Sequence, residues 1–244
     1  MANGYRFGKQ AQFGTGNTMT HDTNNMGLVV GSSNTLSGSR CMLIGNNNIS
    51  IDGGADNLVV GHSNHASGSS SDNLLAGRFN VSNVVASAAF GDGCDVVYPA
   101  SINLGNYLSS KGAGSAQHTT VVIKASATTS AVTELKARGD TRLTIKDGEA
   151  WTFRADVVCK QTAGLAGMAF YIVEGILNRT GATTSMPAAA TISEHYESDA
   201  GNMTLTCTAD DVNDSLNISW TSGVTANYEM VATVYLTKVE VSTS

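Results

Sequence analysis

In the first half of this 244-residue chain, a glycine follows one short apolar run after another. The runs are Leu28-Val29-Val30-Gly31, Met42-Leu43-Ile44-Gly45, Leu58-Val59-Val60-Gly61, Leu74-Leu75-Ala76-Gly77, Ala88-Ala89-Phe90-Gly91 and Ile102-Asn103-Leu104-Gly105. Successive glycines stand 14, 16, 16, 14 and 14 residues apart. Three residues after the first four come Asn34, Asn48, Asn64 and Asn80, while Cys94 and Leu108 take that place in the last two copies. Phe13-Gly14 with Asn17 reads as a degenerate first copy. A unit this long holds two strands of about four or five residues and two turns, too little for a crossover helix. Such units bury themselves only by stacking, which predicts a parallel β-roll or solenoid over 13–108. Gly31, Gly45, Gly61, Gly77, Gly91 and Gly105 are expected at its corners, with Asn34, Asn48, Asn64 and Asn80 capping the turns. Six rungs at roughly 4.8 Å make a ladder of about 30 Å.

Neighbours in a strand point to opposite faces, so the middle residue of each triplet faces away from its two flanks. Both faces are apolar, and a thin roll has one interior. The middle row, Val29, Leu43, Val59, Leu75 and Ala89, is expected to face neighbouring subunits, with the chain self-associated about an axis.

The segment Asn57-Leu58-Val59-Val60-Gly61-His62-Ser63-Asn64-His65-Ala66-Ser67-Gly68 resembles the head repeats of trimeric autotransporter adhesins. The resemblance covers about Phe13 to Leu108 and implies a left-handed β-roll wound as a trimer, a form also found in phage tail fibres. A signal peptide, a coiled-coil stalk and a C-terminal membrane anchor, all typical of the adhesins, are not seen in the sequence, which favours a virion protein over a bacterial surface adhesin.

From Thr119 the apolar period becomes two, as in Trp151-Thr152-Phe153-Arg154-Ala155 and Met203-Thr204-Leu205-Thr206-Cys207. Strands are predicted near 119–125, 141–145, 149–162, 167–178, 188–195, 203–208, 215–220 and 228–241, without a helix. That describes an antiparallel, jelly-roll-like β-sandwich over 119–244, joined by a Gly/Ser linker at 109–118. Trp151 to Ala155, Val173 to Arg179 and Met230 to Val241 resemble a domain recurrent at the ends of phage fibre and virion proteins. That family commonly carries Trp where Met230 stands and Arg where Thr233 stands. The resemblance implies a trimeric, host-contacting cap.

The net charge is −6 and basic residues are scattered, so no nucleic-acid partner is expected. No apolar run suits a membrane span, and Met1 to Gly14 lacks the apolar centre of a signal peptide, so assembly in the host cytoplasm is expected. Cys41, Cys94, Cys159 and Cys207 show no metal-ligand spacing and read as buried thiols. His62 and His65 flank the Asn64 corner, and Asp52-Gly53-Gly54-Ala55-Asp56 and Gly91-Asp92-Gly93-Cys94-Asp95 are short acidic turns, but turn formation accounts for both and no metal or cofactor is expected. Glu194-His195-Tyr196-Glu197 and Asp210-Asp211 are the best candidates for catalysis, yet strand neighbours diverge, and no GxSxG, HExxH or phosphate-loop pattern occurs. The chain is therefore expected not to be an enzyme.

The resulting expectation is a trimeric phage tail or baseplate fibre in the virion, binding a host surface polysaccharide or protein through its C-terminal domain. The alternative is a capsid decoration or head fibre. Residues 1–12 would dock on other virion proteins, with Tyr5, Phe7 and Phe13 as anchors. Tyr196 and Tyr228 are aromatics able to stack on a sugar, though no receptor-contacting residue is assigned.

Overall fold

The computed structural model describes residues 10–20, 27–37, 40–51, 55–67, 71–105, 116–127, 131–162, 167–198, 203–222 and 227–240. The chain divides into two units, Met1–Gln117 and His118–Ser244. All regular elements among the described residues are strands.

In the first unit, long strands alternate with two-residue strands. The long ones are β1 (Gln10–Phe13), β3 (Gly27–Ser32), β5 (Cys41–Asn46), β7 (Leu58–His62), β9 (Leu74–Arg78), β11 (Ala88–Asp92) and β13 (Ser101–Gly105). They pair in parallel, in that order. The short ones, β2 (Thr18–Met19), β4 (Thr35–Leu36), β6 (Ile49–Ser50), β8 (His65–Ala66), β10 (Val81–Ser82) and β12 (Asp95–Val96), form a second parallel sheet. This is the β-solenoid that the repeat predicts. The first described strand starts at Gln10, within the segment expected to serve attachment; residues 1–9, with Tyr5 and Phe7, lie outside the described residues, as do 106–115 of the expected linker and its approach.

The register explains the repeat. Gly31, Gly45, Gly61 and Gly77 are Cα partners in succession, each with φ between 119° and 123°. A Cβ on Gly61 would stand 1.8 Å from the Gly77 carbonyl oxygen, so rung spacing as well as the left-handed backbone excludes any side chain there. Gly105 differs from the other expected corners: its φ is not positive, and a Cβ there would meet Cys94 Sγ at 2.6 Å.

Asn34, Asn48, Asn64 and Asn80 point into the roll and are sealed from water. Each amide works along the ladder. Asn64 Nδ2 donates to the Gly77 carbonyl at 2.9 Å, while its Oδ1 accepts from Asn80 N at 3.1 Å and Asn80 Nδ2 at 3.0 Å. The same pair of roles repeats at Asn34, Asn48 and Asn80, where Cys94 N takes the last oxygen. Buried polar groups left unpaired are costly, so these rows fix register as well as turn shape.

The triplet faces are the reverse of the expectation. Val29, Leu43, Val59, Leu75 and Ala89 are 0% exposed and form the core of the roll itself, with Leu36, Ala66, Cys41, Cys94 and Val96. They cannot be contacts with neighbouring subunits. The reason lies in the short strands, whose inner positions are Leu36, Ser50, Ala66, Ser82 and Val96. A thin interior accommodates one bulky side chain per rung when the facing position is small, as in the rungs that pair Leu43 with Ser50 and Leu75 with Ser82. The residues flanking each middle position therefore face outward.

The second unit is antiparallel wherever its pairing is resolved strand by strand. β17 (Glu149–Gln161) lies between β18 (Met168–Thr180) and β23 (Tyr228–Glu240) over long registers. β14 (Ala116–Ala127) flanks β23, while β19 (Thr183–Ser185) and β20 (Thr191–Ser198) both pair with β18. A smaller sheet joins β15 (Thr133–Glu134) and β16 (Leu143–Thr144) to β22 (Ser215–Thr221), with β21 (Thr204–Asp210) on its other edge. Alternation along β17 and β23 buries Trp151, Phe153, Val157, Met230, Val234 and Leu236. Glu149 is buried with its carboxyl hydrogen-bonded, accepting from Trp151 Nε1 at 3.0 Å and Lys146 N at 3.1 Å.

Candidate functional site

Turning the flanking residues outward builds a two-column apolar stripe on the long-strand sheet. One column runs Leu28, Met42, Leu58, Leu74, Ala88, Ile102 in register; the other runs Val30, Ile44, Val60, Ala76, Phe90, Leu104. Ile102 is 54% and Leu104 51% exposed, and Met42, Leu58 and Phe90 also stand open to water. A contiguous stripe of this kind is unusual on a monomer surface. Beside the first column, at the third turn of each rung, lies a concavity of about 560 Å³ bordered by Asp56, Asp72, Leu74, Ala88 and Ile102. Its acidic rim is partly neutralised: Arg40 binds Asp56 through two hydrogen bonds of 2.6 Å, and this guanidinium holds the Asp56 carboxyl below the usual carboxylate range.

The opposite side of the roll carries the outward residues of the short strands. There a groove of about 490 Å³ is lined by Asn47, Ile49, Ser63, Asn64, His65, Phe79 and Val81. His62 meets Phe79 edge-on at 5.7 Å, and Asn47 Nδ2 lies 3.5 Å from His62 Nε2.

The chemistry-bearing residues singled out by sequence are largely kept apart. Among the described residues, no three of His, Cys, Asp and Glu gather as metal ligands would. Asp92 pairs with Arg78 at 2.7 Å, while His21 and Asp52 lie outside the described residues. His118 is within 3.3 Å of Thr237 Oγ1. His195 is the extra residue of a bulge, since Phe170 pairs with Tyr196 and Tyr171 with Glu194; its ring packs against Phe170. Tyr171 donates its hydroxyl to Glu197, and burial, with Glu197 and Glu194 nearby, pushes its phenol pKa upward. Asp210 caps its own turn, accepting from Val212 N and Asn213 N, and Asp211 accepts from Thr184 N. Tyr196 is exposed, but Tyr228 is buried against Trp220 at 5.5 Å and is not available to stack on a ligand. All four cysteines are free thiols, and burial pushes those of Cys159 and Cys207 up to about 12.

Two features escaped the sequence reading. A second polar ladder runs through the residues preceding the triplets: Asn57 Oδ1 accepts from Asn73 N, Asn73 Oδ1 from Ser87 N, and Ser87 Oγ from Ser101 N. The signal was present in Asn57-Leu58 and Asn73-Leu74. The other is Phe79, at a corner two residues after the repeat glycine, where nothing in the spacing marks an aromatic as special.

The fold defines the class as an all-β chain with a parallel β-solenoid. No family model matches it, and no curated protein does. Among solved structures it is similar to three phage tailspikes. The tailspike protein gp49 of Acinetobacter baumannii bacteriophage Fri1, described as a capsular polysaccharide depolymerase, is 9% identical with a TM-score of 0.30 over 90% of this chain and 50% of that one. The Acinetobacter baumannii phage AM24 tailspike is 8% identical, TM-score 0.28, over 97% and 55%. The Acinetobacter phage vB_ApiP_P1 tailspike is 8% identical, TM-score 0.23, over 88% and 47%. The chain thus spans about half the length of the tailspikes it matches. Because one of these is described as a depolymerase, the expectation that the chain is not an enzyme is withdrawn.

Proposed function

We propose that the chain is a subunit of a homotrimeric phage tail fibre or spike, carried in the virion, that attaches to a host surface polysaccharide or protein. One observation carries the reading: twelve apolar positions in two registered columns face outward along the ladder. Burying such side chains is worth about 25 cal/mol per Å² of apolar surface, and copies of the same chain offer matching stripes. The resemblance of the repeat to trimeric adhesin heads supports three-fold order. In this reading residues 1–12 face the rest of the virion. The His118–Ser244 unit is the host-contacting end, and its two sheets are the layers of a jelly-roll-like sandwich, with Trp220 of one meeting Tyr228 of the other.

Light scattering on the purified full chain tests the reading. A mass near three times 25.2 kDa is expected at micromolar concentration, and Leu58→Asp should lower it while the β signature persists. A wild-type mass of 25.2 kDa would refute self-assembly; an unchanged mass in the variant would refute the stripe as its basis.

A further inference from the structure

At six of the described rungs the second corner is left-handed, and one residue among these six is out of character. Gly16, Ser33, Asn47, Ser63, Phe79 and Gly93 occupy equivalent places with φ between 54° and 72°. Glycine takes such a backbone freely and asparagine readily, whereas for a bulky residue it is an outlier. Phe79 gains little burial in return, since it stays 43% exposed. Strained, exposed residues cluster where a ligand is held, and the inference runs from the outlier to the site.

The surroundings fix the chemistry. Ile49 and Val81 supply apolar ground beside the Phe79 ring, and His62 braces that ring edge-on at 5.7 Å. Between them His65 lines the groove, and its Nε2 is shut off from solvent without a hydrogen-bond partner. Asn47 and Ser63 add an amide and a hydroxyl at the neighbouring corners. The lining contains no carboxylate, lysine or arginine, and the adjacent Arg78 is paired with Asp92. An anionic ligand finds no lysine or arginine there, and a purely apolar one would leave the amide and hydroxyl unmatched. A cyclic sugar suits this set: its C–H face lies on an aromatic ring and its hydroxyls reach donors and acceptors at the edge. The volume, about 490 Å³, falls within the roughly 300–1,000 Å³ of small-molecule sites.

We propose that the Phe79 groove binds a ring of a neutral saccharide chain, with Phe79 as the stacking platform and Asn47 and Ser63 as hydroxyl partners. The site lies on the roll, outside the antiparallel unit assigned to host contact above. It is on the side away from the apolar stripe, so it and the assembly reading stand or fall separately.

The experiment titrates the full chain with neutral hexasaccharides of glucose, galactose and mannose in both anomeric linkages, and with an anionic hexauronate, read by saturation-transfer NMR. Phe79→Gly is the decisive variant, because glycine favours the corner's backbone and the fold is retained. Expected are binding of at least one neutral hexasaccharide and a weakening of about tenfold or more in Phe79→Gly, the scale of losing an aromatic anchor. Phe79→Tyr should retain binding. The scattering mass should be the same in all three proteins. Binding of none of the hexasaccharides, equal binding by Phe79→Gly, or preference for an anionic oligosaccharide would each overturn the proposal, whatever the mass.

Discussion

Replacing Asn64 with alanine tests what the buried amide rows contribute. The side chain is fully sealed, and its removal takes a partner from the Val60 carbonyl at 3.2 Å and strands two main-chain groups of the following rungs above all: the Gly77 carbonyl, which it meets at 2.9 Å, and Asn80 N, which it meets at 3.1 Å. Each buried group left without a partner costs about 1–3 kcal/mol, so the two together predict a loss of about 2–6 kcal/mol. Asn17 makes the corresponding bonds, to the Gly31 carbonyl at 2.9 Å and from Asn34 N at 3.0 Å. It sits half-exposed near the start of the ladder, where water replaces the lost partners, and Asn17→Ala should cost about 1 kcal/mol. Urea unfolding at one fixed protein concentration, followed by circular dichroism, gives both differences from the midpoints if the slopes match. A loss below about 1 kcal/mol for Asn64→Ala, or equal losses at the two sites, would refute the argument that these amides hold the register.

Three further outcomes follow from features above. Gly61→Ala should abolish the folded roll, because its methyl group collides with the Gly77 carbonyl oxygen and its backbone is left-handed; circular dichroism of the purified variant checks this. Val59→Asp should unfold the roll by placing a carboxylate in its core, whereas Leu58→Asp, one residue away, should not; comparing their thermal melts tests the assignment of faces. Arg40 depresses the Asp56 pKa chiefly through a side-chain hydrogen bond, so the pair stabilises above the ordinary carboxylate pKa and the contribution fades as pH falls through the lowered value. Wild type and Arg40→Ala should therefore differ in melting temperature at neutral pH and converge in strong acid, and added salt should narrow the neutral-pH gap.

Much of the roll was legible because its constraints are local. A glycine whose Cβ would strike the next rung leaves the same residue in every copy, and an amide that bonds its own equivalent does likewise. The assignment of faces was not legible, because Leu28-Val29-Val30 is apolar on both sides and a period of two cannot then choose the interior. The deciding information lay in the short strands, where it looks inverted: Ile49 and Val81 face outward while Ser50 and Ser82 face in. Serine is tolerated inside because its hydroxyl finds partners, Ser50 with Cys41 Sγ and Asn57 Nδ2, and Ser82 with the Val84 carbonyl. In the antiparallel half, alternation marked β17, β21, β22 and β23 closely, but the isolated pair Thr133–Glu134 was too short to leave a pattern. The Phe79 groove was invisible for another reason: its parts come from three rungs, and only stacking brings Asn47, Ser63 and Phe79 side by side.

The amide row also makes the ladder a ruler. Asn48 presents its oxygen to Asn64 as Asn64 does to Asn80, so any unit that ends in the same amide can dock on any other. The rungs differ in length at the third turn: β6 ends at Ser50 and β7 begins at Leu58, whereas β4 ends at Leu36 and β5 begins at Cys41. Excising residues 57–72 would bring Asn48 to Asn80 with the same bonds, and duplicating them would insert one more copy of the same joint. Each operation changes the reach by one strand spacing, about 4.8 Å. A lineage can thus tune how far such a roll extends in steps of one rung, without redesigning the amide joint that links them.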